Sequence, residues 1–170
     1  MELKSCIRSI PDFPKAGILF RDITTLLNNK AAFSKVIDLL AGKFKGKKID
    51  YVVAIESRGF IFGGALAVKL KAGFVPVRKK GKLPAKTYSA SYSLEYGTDI
   101  LEIHQDAFPA GSRILILDDL LATGGTVKAV IELVYHLRGK IAGIAFLIEL
   151  VDLKGRDKLA GYPVHSLIKY

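Results

Sequence analysis

The apolar positions of this chain change period several times, and each change marks an element. Phe33, Val36, Ile37 and Leu40 recur at i, i+3, i+4 and i+7, the stripe of an amphipathic helix that opens at Asn28-Asn29 and closes at Gly42. Ile49 to Ile55 is then a largely apolar, β-branched run of strand length, followed by the polar segment Glu56-Ser57-Arg58-Gly59 and the helix-like FIFGGALAVKL. Ala72-Gly73 turns the chain into a further short apolar run, Phe74 to Val77. Strand, helix and strand in close succession form a βαβ unit, whose parallel strands are covered on both faces and so read as unbroken apolar runs.

The pattern then recurs. Ile114 to Leu117 reads as a buried strand, and Thr126 to Leu137 as a helix with Val127, Val130, Ile131, Val134 and Leu137 inward. Gly139 stops that helix and Ile141 to Val151 returns as a strand. Two such units predict an α/β fold, an open and mostly parallel sheet flanked by helices, whose ligands lie beyond the carboxyl ends of the strands. That places the chemistry after Ile55, Val77 and Leu117. Between the units, YSASYSLEY (88–96), a turn at Gly97-Thr98-Asp99 and an extended Ile100 to His104 predict a hairpin or long excursion rather than a core strand, because its small positions are serines. Residues 1–27, with Pro11, Pro14 and Gly17, form an irregular cap.

A length of 170 residues suits one domain. No apolar run approaches the roughly 20 residues of a membrane span, and the opening Met-Glu-Leu-Lys-Ser-Cys lacks the basic-then-apolar order of a secretory signal, so a soluble, cytoplasmic protein is expected. Cys6 is the one cysteine, which leaves no internal disulfide and no thiolate cluster for zinc. The three histidines, His104, His136 and His165, lack ligand spacing. Lys and Arg total 26 against 16 Asp and Glu, a formal charge of +10. That excess favours an anionic partner: nucleic acid, an acidic membrane face or a phosphorylated small molecule. Its densest run is Arg78-Lys79-Lys80-Gly81-Lys82, which a solvated turn would also explain; the cations 43–48 suit the end of a helix.

The most informative stretch is LDDLLATGGT (117–126), where a buried strand ends in two carboxylates and a small-residue loop runs into a helix. Glycines let the backbone approach a ligand, Thr123 and Thr126 add hydroxyls, and a helix N-terminus offers free N–H groups and partial positive charge, which together make a phosphate cradle. No lysine follows the glycines and no GxGxxG occurs, so neither the ATP-type loop nor the dinucleotide fingerprint is present. Carboxylates directly before the cradle can accept hydrogen bonds from sugar hydroxyls, and the implied ligand is a ribose phosphate.

This run resembles the phosphoribosyl-diphosphate-binding motif of the type I phosphoribosyltransferases. With FPKAGILFRDIT (13–24), ESRGFIFGGALA (56–67), VPVRKKGKLP (75–84), YSLEYGTDILEIHQDAF (92–108) and the final SLIKY, nearly the whole chain is similar to the branch acting on adenine. The resemblance implies purine salvage by transfer of 5-phosphoribosyl from phosphoribosyl diphosphate to adenine. It implies that Ala122, Thr123, Gly124, Gly125 and Thr126 hold the 5-phosphate and that Asp118 and Asp119 hold the ribose hydroxyls. The backbone N–H groups of Glu56, Ser57 and Arg58, with a cis peptide between the first two, would meet the diphosphate, and Lys79 and Lys82 would neutralise it. Leu19, Phe20, Arg21 and Leu120 would take adenine, with Phe20 and Leu120 about the ring; without the motif those two would read as core. Glu95, Tyr96 and Arg58 would be catalytic, residues 1–27 a base-binding cap, and 87–99 a flexible lid that excludes water. Magnesium, held mainly by the substrate and water, and a homodimer complete the expectation. Two alternatives stand beside it: a transferase for another purine base, and a phosphoribosyl-diphosphate-sensing regulator that binds nucleic acid.

Overall fold

A computed structural model describes residues 2–93 and 97–170. Strands β1 (Arg8–Pro11) and β2 (Leu19–Asp22) pair antiparallel as a separate two-stranded ribbon, followed by a single turn α1 (Thr24–Leu27). Helix α2 (Lys30–Lys43) begins where Asn29 accepts hydrogen bonds from the N–H groups of Ala31 and Ala32, both at 3.1 Å, which satisfies two of the donors a helix start leaves open. It runs through Gly42, one residue beyond the predicted stop, and the left-handed turn falls at Gly46.

The first predicted unit is β3 (Tyr51–Ile55), α3 (Arg58–Leu70) and β4 (Gly73–Lys79), and the second is β7 (Arg113–Leu121), α4 (Gly125–His136) and β8 (Lys140–Glu149). Between them lie β5 (Thr87–Ser93) and β6 (Thr98–His104), and β9 (Val164–Lys169) closes the chain. The main sheet has the order β5-β6-β4-β3-β7-β8-β9. Its members from β4 to β9 run parallel, while β6 is antiparallel to β4 and β5 antiparallel to β6.

Residues alternate between two cores because successive side chains of a strand face opposite sides. Ile114 and Ile116 of β7 pack with Val130 and Val134 of α4, whereas Leu115 and Leu117 pack with Val36, Leu40, Phe62 and Leu66 of α2 and α3. Fully burying such a side chain is worth about 1.5–3 kcal/mol, so each helix is held by several of them.

Two expectations need correction. The 88–104 excursion is not outside the core: β6 adds to β4, and Ala90, Leu101 and Ile103 are buried. Ser89 and Ser91 lie exposed on the other face, so the period-2 alternation is that of a half-buried strand. The Ile141 to Val151 run stops as a strand at Glu149, where a 3-10 turn, Val151–Leu153, takes over. Among the described residues no helix is long and apolar enough to cross a membrane.

That turn and the next, Gly155–Leu159, are tied down by one ion pair. Arg156 donates from Nε to Glu149 Oε1 at 2.9 Å and from Nη1 to the carbonyl of Val164 at 3.0 Å. The Arg156 guanidinium holds the Glu149 pKa down at about 2, against burial, which acts upward. A carboxylate depressed by folding stabilises the protein above its unfolded pKa of 4.5 and loses that contribution as pH falls through about 2. Melting temperature is therefore expected to decline below about pH 4.5, with a shallower decline in Glu149→Gln. Equal slopes in parent and variant, measured by circular dichroism, would remove the pair as a cause.

Candidate active site

Three adjacent strands, β4, β3 and β7, deliver their carboxyl ends to one cavity of about 340 Å3. At the end of β3 the Glu56–Ser57 peptide is cis, as expected, and α3 starts at once with Arg58. Glu56 lines the cavity, and its carboxylate is engaged by the protein's own cations. Its carboxylate accepts from the Lys79 N–H at 2.7 Å and from Arg78 Nε at 3.0 Å, with Lys82 Nζ 3.3 Å away. Burial pushes its pKa up, but the Lys79 N–H, Arg78 and Lys82 outweigh burial and leave it below the usual range. Glu56 thus gathers Arg78, Lys79 and Lys82 at one carboxylate, while Lys79 to Lys82, with the turn at residues 80–81, stay exposed.

Lys79 is paired as well, with Asp99 Oδ2 at 2.8 Å, and Tyr92 donates its hydroxyl to the same oxygen at 3.2 Å. The pair raises the Lys79 pKa and lowers that of Asp99; burial and the Asp99 charge raise Tyr92. Tyr92 also lines the cavity, and neither it nor Asp99 was singled out from sequence. Tyr88, Ala90 and Tyr92 fall on one face of an alternating strand, which is the signal that could have found Tyr92.

The strand β7 does not end at the carboxylates, as the sequence suggested. It continues through Leu121 because Asp118, Leu120 and Leu121 keep pairing with Phe146, Ile148 and Glu149 of β8. Asp118 and Asp119 are therefore held in strand geometry beside the cavity, and both line it. Asp118 lies deep among protein atoms, with part of its surface open to the cavity. Burial, then the Asp119 charge, raises its pKa well above the carboxylate range; burial also raises Asp119, against the pull of Arg58. Arg58 Nε lies 2.8 Å from Asp119 Oδ2, an ion pair without hydrogen-bond alignment, so that this buried oxygen has no hydrogen-bond donor. The Arg58 guanidinium also sits 5.3 Å from the Phe20 ring centroid. At Gly59 any Cβ would meet Asp118 Oδ1 at 2.9 Å, so glycine permits the start of α3 to lie against the acidic pair.

The 122–126 loop closes the cavity. Ala122, Thr123, Gly124 and Thr126 line it, and Gly125 begins α4 after Gly124, whose φ of 79° is left-handed. Gly155 packs directly beneath: a Cβ there would come within 2.0 Å of the Ala122 carbonyl oxygen. This long-range contact leaves no local pattern in the sequence. Leu120 is at the cavity wall; Leu19, Phe20 and Arg21 are on the β1-β2 ribbon outside its lining, and Lys82, also outside it, turns its Nζ to Glu56. Asp22 binds Arg8, not Arg21. Glu95 and Tyr96 lie outside the described residues. Among the described residues no group of three or more His, Cys, Asp and Glu could hold a metal ion.

Residues 22–166 match the family described as the phosphoribosyl transferase domain. Over 170 residues the chain is 59% identical to a protein of Brachyspira hyodysenteriae and 60% identical to one of Trichodesmium erythraeum, both named adenine phosphoribosyltransferase, the first covering 100% of both chains. The crystal structure of adenine phosphoribosyltransferase from Thermoanaerobacter pseudethanolicus superposes with a TM-score of 0.96 at 56% identity, covering 99% of this chain and 98% of that one. The Saccharomyces cerevisiae enzyme, solved with an imino-altritol bisphosphate and adenine, gives 0.92 at 47% identity, covering 98% and 96%.

Proposed function

The chain belongs to the phosphoribosyltransferase family, in the branch named for adenine, and on that premise we propose a purine-salvage enzyme that transfers 5-phosphoribosyl from phosphoribosyl diphosphate to adenine. The anomeric carbon–oxygen bond to diphosphate breaks, a carbon–nitrogen bond to the base forms, the nitrogen loses its proton, and AMP and diphosphate leave. The observation that carries this is one cavity shared by Ser57-Arg58, Asp118-Asp119 and the 122–126 loop, in a chain matched end to end by adenine phosphoribosyltransferases.

The loop and the N-terminus of α4 hold the 5-phosphate with backbone N–H groups and partial positive charge. Asp118 and Asp119 accept the ribose hydroxyls. As the leaving bond lengthens the sugar becomes cationic, and the two carboxylates lie where that charge develops, in a water-poor site that strengthens the attraction. The 56–58 backbone, Arg58, Lys79 and Lys82 take the diphosphate, which replaces Asp99 and Glu56 as the partner of the two lysines. Adenine lies against Leu120 with Phe20 of the ribbon opposite, its edge read by the Leu19 backbone and Arg21. Residues 1–27 are the base-binding cap and the 87–99 hairpin is the lid.

A magnesium ion held mainly by the substrate's oxygens and by water would suit this cavity, with Asp118 and Asp119 on the wall that meets the ion's waters. When bound, it supplies positive charge against the diphosphate oxygens. Helix α3 leaves Ile61 and Val68 exposed, an apolar face that suits a second copy of the chain. The reading places the enzyme in the cytoplasm as a homodimer.

The test is diphosphate release from phosphoribosyl diphosphate and magnesium with adenine, hypoxanthine, guanine or no base, beside Asp118→Asn/Asp119→Asn, on protein sized by sedimentation. Release that needs adenine, disappears in the double variant and comes from a species of twice the chain mass is expected. Release with equal rates for every base, or none at all, would sink the assignment.

A further inference from the structure

We infer that Tyr170 is a positioning residue for adenine: its ring holds the Arg21 guanidinium so that the edge donors of Arg21 remain free for the base. The inference rests on the proposed assignment of Arg21 to the base site. Arg21 Cζ lies 3.7 Å from the centroid of the Tyr170 ring, a close cation–π contact. Among the described residues Arg21 forms no ion pair with a carboxylate: its neighbour Asp22 is taken by Arg8 and Thr24. Nη1 donates to Ser9 Oγ at 2.5 Å, while Nε is buried with no hydrogen-bond partner.

The choice of partner matters chemically. A carboxylate would occupy the guanidinium's fork of donors and neutralise its charge, whereas an aromatic face holds the cation through its plane and leaves the N–H groups at the edge available. Nε is packed away from solvent and Nη1 is taken by Ser9, so among the described residues Nη2 is the edge donor left for an acceptor of the ligand. Ring nitrogens of a purine are such acceptors.

Tyr170 is itself well anchored. Its N–H donates to the Glu149 carbonyl at 3.0 Å, its own carbonyl accepts from Val151 N–H at 2.9 Å, and Lys4 Nζ lies 4.4 Å from its ring centroid. It therefore ties the β1-β2 ribbon, which carries Arg21, to the edge of the main sheet. Arg21 and Tyr170 both fall outside the 22–166 stretch that matches the family at large, as befits a contact serving the acceptor rather than the shared donor.

The experiment is steady-state kinetics with both substrates varied for Tyr170→Leu, Tyr170→Phe and Arg21→Ala. Tyr170→Leu is expected to raise KM for adenine about tenfold while kcat and KM for phosphoribosyl diphosphate stay within about twofold, and Tyr170→Phe to restore the parent values. Replacing Tyr170 by phenylalanines of increasing fluorination keeps the shape and weakens the ring quadrupole, so KM for adenine should climb through that series even if Tyr170→Leu fails to fold. A flat series, or both KM values rising together, overturns the positioning role. An adenine KM that rises in Arg21→Ala but stays level across the Tyr170 variants removes Tyr170 and keeps the base site. No change in Arg21→Ala removes the base assignment itself and the inference with it.

Discussion

Asp118→Asn is expected to melt about 2–4 °C above the parent while losing at least about a hundredfold in turnover. The two effects share one cause. Deep burial and the adjacent Asp119 charge raise the Asp118 pKa in the folded state, so folding favours its protonated form. Stability is then complete at low pH and is lost as pH rises through the raised value. Asparagine carries no charge to bury and can still accept the Asp119 N–H that Asp118 Oδ1 takes at 2.9 Å, which makes the neutral side chain the more stable occupant, by about 1 kcal/mol. On the proposed assignment the ligand reverses the preference: a cationic ribose favours the carboxylate at 118, and the variant keeps only that of Asp119. Thermal melting with and without phosphoribosyl diphosphate reads both halves, the parent gaining more from ligand than the variant. A variant that melts lower, or keeps its turnover, would contradict this account of the acidic pair.

Gly155→Ala is expected to abolish measurable binding of phosphoribosyl diphosphate although residue 155 lines no part of the cavity. Its Cβ would lie 2.0 Å from the Ala122 oxygen and 3.0 Å from both the Ala122 carbon and the Gly124 nitrogen, all backbone atoms. Nothing flexible can yield, so either the 122–126 loop or the 155–159 turn must move. The turn is fastened by Arg156 to Glu149 and Val164, and the loop gives way. At least a hundredfold rise in KM for phosphoribosyl diphosphate, or a loss of about 3 kcal/mol in unfolding free energy if the turn yields instead, is the expected range. Gly42→Ala is the control: a Cβ there meets nothing within 4 Å, inside α2, and the change should leave activity intact and stabilise by about 0.5–1 kcal/mol. Parent-like binding in Gly155→Ala would show that the contact does not shape the loop.

Both cases mark what the sequence could and could not disclose. The βαβ units were legible because strands covered on both faces leave unbroken apolar runs, and Val52, Val53, Leu115 and Ile116 are fully buried. The cradle was legible because Asp118, Asp119 and Gly124 lie within one short segment. Strand β9 carried too little contrast, with Val164, His165, Ser166 and Leu167 all half-buried at the sheet edge. Helix ends were blurred for another reason: the left-handed turns after α3 and α4 fall on Lys71 and Arg138, one residue or more before the glycines that signalled them. Gly155, Asp99 and the Glu56 contacts are invisible locally because each joins segments distant in sequence.

The ribbon β1-β2 shares no ladder with the main sheet. Everything assigned to the sugar phosphate and diphosphate hangs from β4, β3 and β7, whereas Leu19, Phe20 and Arg21 hang from the ribbon. On the proposed assignment the acceptor is gripped from two supports, Leu120 of β7 on one side and the ribbon on the other, with Arg21–Tyr170 and Arg58–Phe20 as contacts that join them. A change of acceptor would fall first on the ribbon, whose residues can vary without breaking a ladder of the main sheet.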